Sequence, residues 1–240
     1  MPIDLMRQWR TMRSYLVELV VIIAGILLAL AADAAWDYRQ DREEEEAAIR
    51  RALVIEFKND AAELIEDQAI REERLDLYDA LINRADGLSL SEKAQALKRL
   101  MGRRFYAPNH AVLDDVLTTG RLGLLTSDRL RLLIMSFEHE RETQIIMEGA
   151  SVDAFEQFRS FVIGNLDLLS LNEGKVGEVR YLQALGEAGM EAILEDSTFR
   201  SLMYLTHRRL LGIHQHGEML LGVVRDIQAE LARQMTPISP

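Results

Sequence analysis

YLVELVVIIAGILLALAADAAW, residues 15–36, is apolar enough to enter a bilayer, yet it carries Glu18 near one end and Asp33 near the other. Two readings compete. The uninterrupted apolar run, residues 19–32, is 14 residues long, which suits the core of a signal peptide. Arg7, Arg10 and Arg13 would form its positive flank, and Ala29-Leu30-Ala31 or Ala32-Asp33-Ala34 its small-x-small cleavage site. Three features favour an uncleaved anchor. From Tyr15 to Trp36 a helix covers ~33 Å, about the thickness of the hydrocarbon core, with an interfacial aromatic at each end. Glu18 and Asp33 lie about a turn from the ends, where a carboxylate reaches water or headgroups. No Pro or Gly follows to break the helix: DYRQDREEEEAAIRRALVIEF continues directly.

At 100° per residue, Glu18, Ile22, Gly25, Ala29, Ala32, Asp33 and Trp36 fall on one side of this helix. The small residues among them let another helix approach closely. The acids therefore share a face with a packing groove. Plain interfacial snorkelling, a helix–helix contact, or an ion path through Glu18 would each use that face. The three arginines before the span and the acidic flank after it (Asp37, Asp41, Glu43 to Glu46) place the N-terminus in the cytoplasm by the positive-inside rule. In a bacterium, residues 37–240 then lie in the periplasm, with the protein in the inner membrane.

The rest of the chain reads as helices. From Asp37 to Asp86 there is no Gly or Pro, and Ile49, Leu53, Phe57, Ala61 and Leu64 recur at helical spacing. Gly87 ends this helix, and Ser89 with Glu92 forms a capping box for a short one to about Met101. Asn109 caps a helix running to Thr119, with Gly120 past its end. Ser127-Asp128 opens a long amphipathic run to about Asn165, and residues 166–180 read as a loop. A short helix spans about 181–194. Asp196-Ser197 then caps a last helix to about Met235. The expected fold is all-α: a cytoplasmic N-terminus (1–14), a transmembrane helix (15–36), an extracytoplasmic helical bundle (37–235) with a long antiparallel helix pair, and a tail (236–240). The Glu43–Glu46 run reads as a solvated face.

Glu18 followed by Gly25-Ile26-Leu27-Leu28-Ala29-Leu30 and Trp36 resembles the N-terminal span of a family of uncharacterised bacterial single-span membrane proteins with a domain of unknown function. Val116-Leu117-Thr118-Thr119-Gly120-Arg121-Leu122-Gly123-Leu124-Leu125, then Leu130-Arg131, is similar to that family's internal turn between two helices. After the span the family tends to carry amides where this chain has Ala-Asp-Ala-Ala. The resemblance implies a single-span anchor with a helical extracytoplasmic domain and implies no activity.

Composition excludes several functions. The chain has 240 residues and no cysteine, which rules out disulfides and thiol chemistry. A net charge of -11 argues against nucleic acid as a partner. No phosphate loop, nucleophile elbow or metalloprotease pattern is present, so no enzyme and no cofactor are expected. His207, His214 and Glu218 share a helix face, but the histidines are two turns apart, which does not match usual zinc spacing.

The remaining oddity is polar. Arg141, Gln144 and Glu148 interrupt the apolar face of the 127–165 helix, and Arg209 and His216 interrupt that of the last helix. Antiparallel packing of the two brings these interruptions into one buried layer, with Glu148 serving Arg209, Arg141 or His216. The sequence thus suggests a membrane-anchored interaction or accessory protein, whose partners are the lipid bilayer and either a second copy or another membrane protein. The alternatives are a periplasmic ligand-binding module using the polar layer and an ion-conducting oligomer built on Glu18.

Overall fold

The structure, a computed structural model, describes residues 3–102, 104–106, 108, 110–165 and 186–235, with the side chains of 3–22 and 186–188 left aside. Among the described residues there are six α-helices and no strand. They are α1 (Ile3–Asn83), α2 (Leu90–Leu100), α3 (Ala111–Thr118), α4 (Asp128–Gly164), α5 (Gly186–Glu195) and α6 (Ser197–Met235). Short 3-10 turns, Ala85–Gly87 and Arg121–Leu124, follow α1 and α3.

Helix α1 is uninterrupted for 81 residues, a length of ~120 Å. It ends at Asn83 rather than at Gly87, because the chain tightens into the 3-10 turn first. Residues 23–44 are all exposed, among them Ile23, Ile26, Leu27, Leu28, Leu30 and Trp36.

The expected membrane span falls partly outside the described residues. Among the described residues no helix is long and apolar enough to cross a membrane. The side chains of residues 15–22, Glu18 included, lie outside the described set.

Beyond residue 44, α1 joins α4 and α6 in a three-helix core. Phe57 meets Phe137 edge-on at 5.1 Å, and Glu46, near the start of this part of α1, reaches Thr126, just ahead of α4. These two helices therefore run parallel. Helix α6 returns antiparallel to α4: Ser127 meets Glu230, Glu140 meets His216, and Ala154 meets Thr206. The antiparallel pair expected from the sequence is present.

Local signals explain most helix ends. Ser89 and Glu92 form the reciprocal capping box. Ser127 Oγ accepts the amide of Leu130 at the start of α4, and Asp196 Oδ1 accepts those of Thr198 and Phe199 at the start of α6. Gly120 takes φ 74° just past α3, where a side chain would be strained. Asn109 lies outside the described residues, and so do loop 166–180 and the first residues of the expected 181–194 helix. Helix α3 starts after His110, which makes no side-chain cap. Glu56 of α1 does that work instead: its two oxygens accept the amides of Val112 and Leu113 at 2.8 and 3.0 Å.

Two apolar clusters fill the bundle. One contains Leu53, Phe57, Leu130, Phe137, Leu220 and Val224. The other contains Tyr78, Leu97, Leu100, Phe158, Phe199 and Met203. Between them lies a layer of buried polar side chains.

Candidate functional site

The centre of that layer is Arg71, on α1, which is only 3% exposed. It points into the bundle because the α1 face carrying Leu53, Phe57 and Leu64 continues at helical spacing through Asp67 and Arg71. Its guanidinium approaches Glu148 Oε1 of α4 at 2.5 Å and pairs with Asp67 one turn earlier on α1. It also donates to the Ile213 carbonyl of α6 at 3.3 Å. One side chain thus ties all three long helices together.

Its neighbours complete the layer. Glu148 Oε1 accepts from Gln144 Nε2 at 2.7 Å, and Glu148 Oε2 accepts from the Tyr106 amide at 3.3 Å. Gln68 Nε2 donates to the His214 carbonyl at 2.8 Å. Gly217 makes the close approach of α1 and α6 possible: a Cβ there would sit 2.7 Å from Gln68 Nε2 and 3.0 Å from Arg71 Nη1.

Two buried carboxylates share one arginine in this layer, and burial pushes both upward. Desolvation raises the Glu148 carboxyl above its ordinary range, against the pull of Arg71 and the Gln144 hydrogen bond. Desolvation likewise raises Asp67, opposed by Arg71, Arg104 and Arg74. Neither oxygen of Asp67 makes a hydrogen bond among the described residues. This is an ion-pair layer whose acids hold their protons more tightly than surface acids do.

A second polar relay lies beside it. Asp60 Oδ2 stands 3.0 Å from His110 Nε2, and His110 Nδ1 stands 2.9 Å from Arg141 Nη1. A guanidinium only donates, so Nδ1 is the acceptor and the imidazole proton sits on Nε2, facing Asp60. Arg141 also pairs with Glu138 at 2.7 Å and Asp114 at 3.2 Å.

The five residues expected in one layer separate as follows. Gln144, Glu148 and His216 are buried, and Gln144 touches Glu148. His216 Nε2 turns instead to Glu140, at 2.9 Å from its carbonyl. Arg141 is partly buried and serves the His110 relay. Arg209 is exposed, so its proposed pairing with Glu148 is corrected. The register was right, for Arg209 lies near the level of Glu148 on the antiparallel partner. The face was wrong. Inward from Thr206, Leu210 is ~40° away and Arg209 ~60°, and the apolar neighbour turns inward without needing a charge partner.

The Arg71 partner and the buried acids of α1 were missed. Glu46, Glu56, Asp60 and Asp67 are all under 8% exposed. Glu46 belongs to the acidic run read as solvated, yet it accepts from the amide and hydroxyl of Thr126. The available signal was periodicity: these acids follow the same helical spacing as Ile49, Leu53 and Leu64.

Of the described parts of the span face, Gly25 has nothing within 4 Å of a would-be Cβ, and Ala29, Ala32, Asp33 and Trp36 are exposed. The histidine–carboxylate set is spread out: His214 Nε2 lies 3.8 Å from Glu218, while His207 packs against the ring of Tyr78 at 5.9 Å.

These features define an all-helical bundle with a buried ion-pair layer, carried on a long helix with an exposed apolar stretch. No family model, curated protein or solved structure matches the chain.

Proposed function

We propose that this is a single-pass protein of a bacterial inner membrane, with its N-terminus cytoplasmic and its helical domain periplasmic, and that it works by association rather than catalysis. The observation that carries this reading is the ring of exposed apolar side chains at residues 23–30. Ile23, Ile26, Leu27 and Leu30 fall within ~100° around α1, Leu28 lies ~100° beyond them, and Ala24, Gly25 and Ala29 complete an apolar circuit; no other part of the described chain covers them. Leaving five such side chains in water forgoes on the order of 10 kcal/mol. Lipid, or lipid with neighbouring helices, is the cover that suits a helix apolar all round. The same stretch continues in sequence into residues 15–22, and Arg7, Arg10 and Arg13 precede it. The resemblance to uncharacterised single-span membrane proteins supports the same topology.

Association follows from the face bearing Gly25, Ala29 and Ala32, which would let a second span approach. The partner in this reading is another copy of the chain or another membrane protein. The test is the mass of the full chain in detergent and its cross-linking in membranes. Gly25→Leu should lower the oligomer population, while Val20→Leu, about 140° away around the helix, should not. An oligomer unaffected by Gly25→Leu, or a chain recovered without its first 34 residues, would defeat the proposal.

A further inference from the structure

Beside the ion-pair layer, a cavity of about 60 Å³ opens toward solvent past Arg74 and Arg104. One wall is charged and the other is apolar, formed by Ile70, Phe155 and Leu210. The charges are unevenly matched. Arg71 takes both Glu148 and Asp67. Arg104 pairs at the rim with the exposed Glu66 at 2.8 Å. Arg74, half-buried on the cavity wall, forms no ion pair among the described residues. Burial lowers its pKa, since its cation is desolvated while Tyr78, Asp67 and Glu73 act on it without closing a pair. Gly102 gives it room: a Cβ there would stand 3.3 Å from Arg74 Nη2.

We propose that this cavity is a binding site for a small organic monoanion, a carboxylate on a short apolar body, held by Arg74. A guanidinium offers a fork that matches a carboxylate, and the apolar wall accepts the alkyl end. The site's size fixes the class. A single water needs ~10–15 Å³ in the same measure, so the space suits about four to six non-hydrogen atoms. That admits acetate through butyrate and excludes nucleotides and drug-sized ligands, which take ~300–1,000 Å³. A phosphate dianion is disfavoured by the two acids, Asp67 and Glu148, that line the same space. This inference does not depend on membrane anchoring.

The experiment is a titration of the full-length, isotope-labelled protein in detergent with butyrate, following the Arg74 Nε–Hε resonance by NMR. The wild type should give a saturable shift with a Kd on the order of 1 mM, as so few atoms allow. n-Butanol and butylamine should give none. Arg74→Lys should weaken binding about tenfold by losing the fork. In Arg74→Met, which replaces a cation lacking an ion pair and should fold at least as stably, butyrate should no longer raise the unfolding midpoint. No saturable shift in the wild type up to about 50 mM would overturn the proposal. So would a butyrate-dependent rise in midpoint that Arg74→Met retains, or an equal response to n-butanol.

Discussion

Residues 23–44 and residues 45–83 belong to one uninterrupted helix, yet they bury nothing in common. The first stretch is apolar on every side from residue 23 to 32, turns charged from Asp37 onward, and is exposed throughout. The second has a single inward face, and on that face acids and an arginine sit among Leu53, Phe57 and Leu64. The backbone is equally helical in both, so hydrogen bonding within the helix does not distinguish them. What differs is the solvent each side chain is matched to. An all-round apolar helix suits a medium without hydrogen-bonding partners, whereas buried charge is tolerated only where fixed partners replace water.

The sharpest way to break this comparison is to empty the second half of its charge partner. Arg71→Met leaves Asp67 and Glu148 buried without a cation and should cost ~3–5 kcal/mol. The measurement is urea unfolding of the full chain in mild detergent. Adding Glu148→Leu and Asp67→Leu should restore much of the loss, as apolar replacements of whole buried ion clusters do. A loss below about 0.5 kcal/mol for Arg71→Met, the range of ordinary surface changes, would mean that water penetrates the layer.

Acid should separate the middle of the bundle from its far end. At that end Glu230 accepts from Ser127 Oγ at 2.8 Å, Gln234 at 2.8 Å and Arg233 at 2.7 Å. Burial works to raise its carboxyl, but these donors and the Arg233 charge hold it down at about 2. A depressed carboxyl stabilises the fold above its ordinary pKa, and that contribution is lost as pH falls from about 5 toward 2. Glu230→Gln should flatten the pH profile over that window. Glu148 and Asp67 are raised instead, so their protonation on acidification should not weaken the fold, and Glu148→Gln should leave the acid limb of the profile in place.

A smaller effect is expected at Gly217. Alanine normally gains ~1 kcal/mol over glycine inside a helix. Here its Cβ meets Gln68 and Arg71 where they reach the α6 carbonyls, and displacing those buried donors should reverse the sign, for a net loss of ~1–2 kcal/mol. Gly222, with nothing within 4 Å, should show the ordinary gain. Smallest of all, Arg209→Ala should change stability by less than about 0.5 kcal/mol, because the side chain is exposed.

Much of the fold was legible because its signals are local. Ser89 with Glu92, Ser127, Asp196 and Gly120 each act within four residues, so their roles can be read without knowing the fold. The antiparallel pairing of α4 and α6 was assumed from two long helices that each carry an apolar face, and the structure has it. The site was legible only in part. Gln144 and Glu148 stood out because they interrupt an apolar stripe. Glu46, Glu56, Asp60, Asp67 and Arg71 did not, since acids and arginines are almost never fully buried unless paired. Periodicity alone marks their face, but their partners are up to 142 residues away, as with Arg71 and Ile213, and no local pattern names those partners.

The central claim, that the exposed first stretch of α1 is covered by lipid while the second is covered by the protein itself, is tested most directly by Trp36. The chain has two tryptophans, Trp9 and Trp36, so Trp9→Phe leaves a single reporter on this stretch. Its fluorescence should be followed as the full chain is reconstituted into phospholipid vesicles carrying bromine at graded acyl depths. The account predicts a blue-shifted emission that is quenched most strongly by bromines near the headgroup boundary. Emission that stays at its water-exposed wavelength and resists quenching at every depth would contradict it.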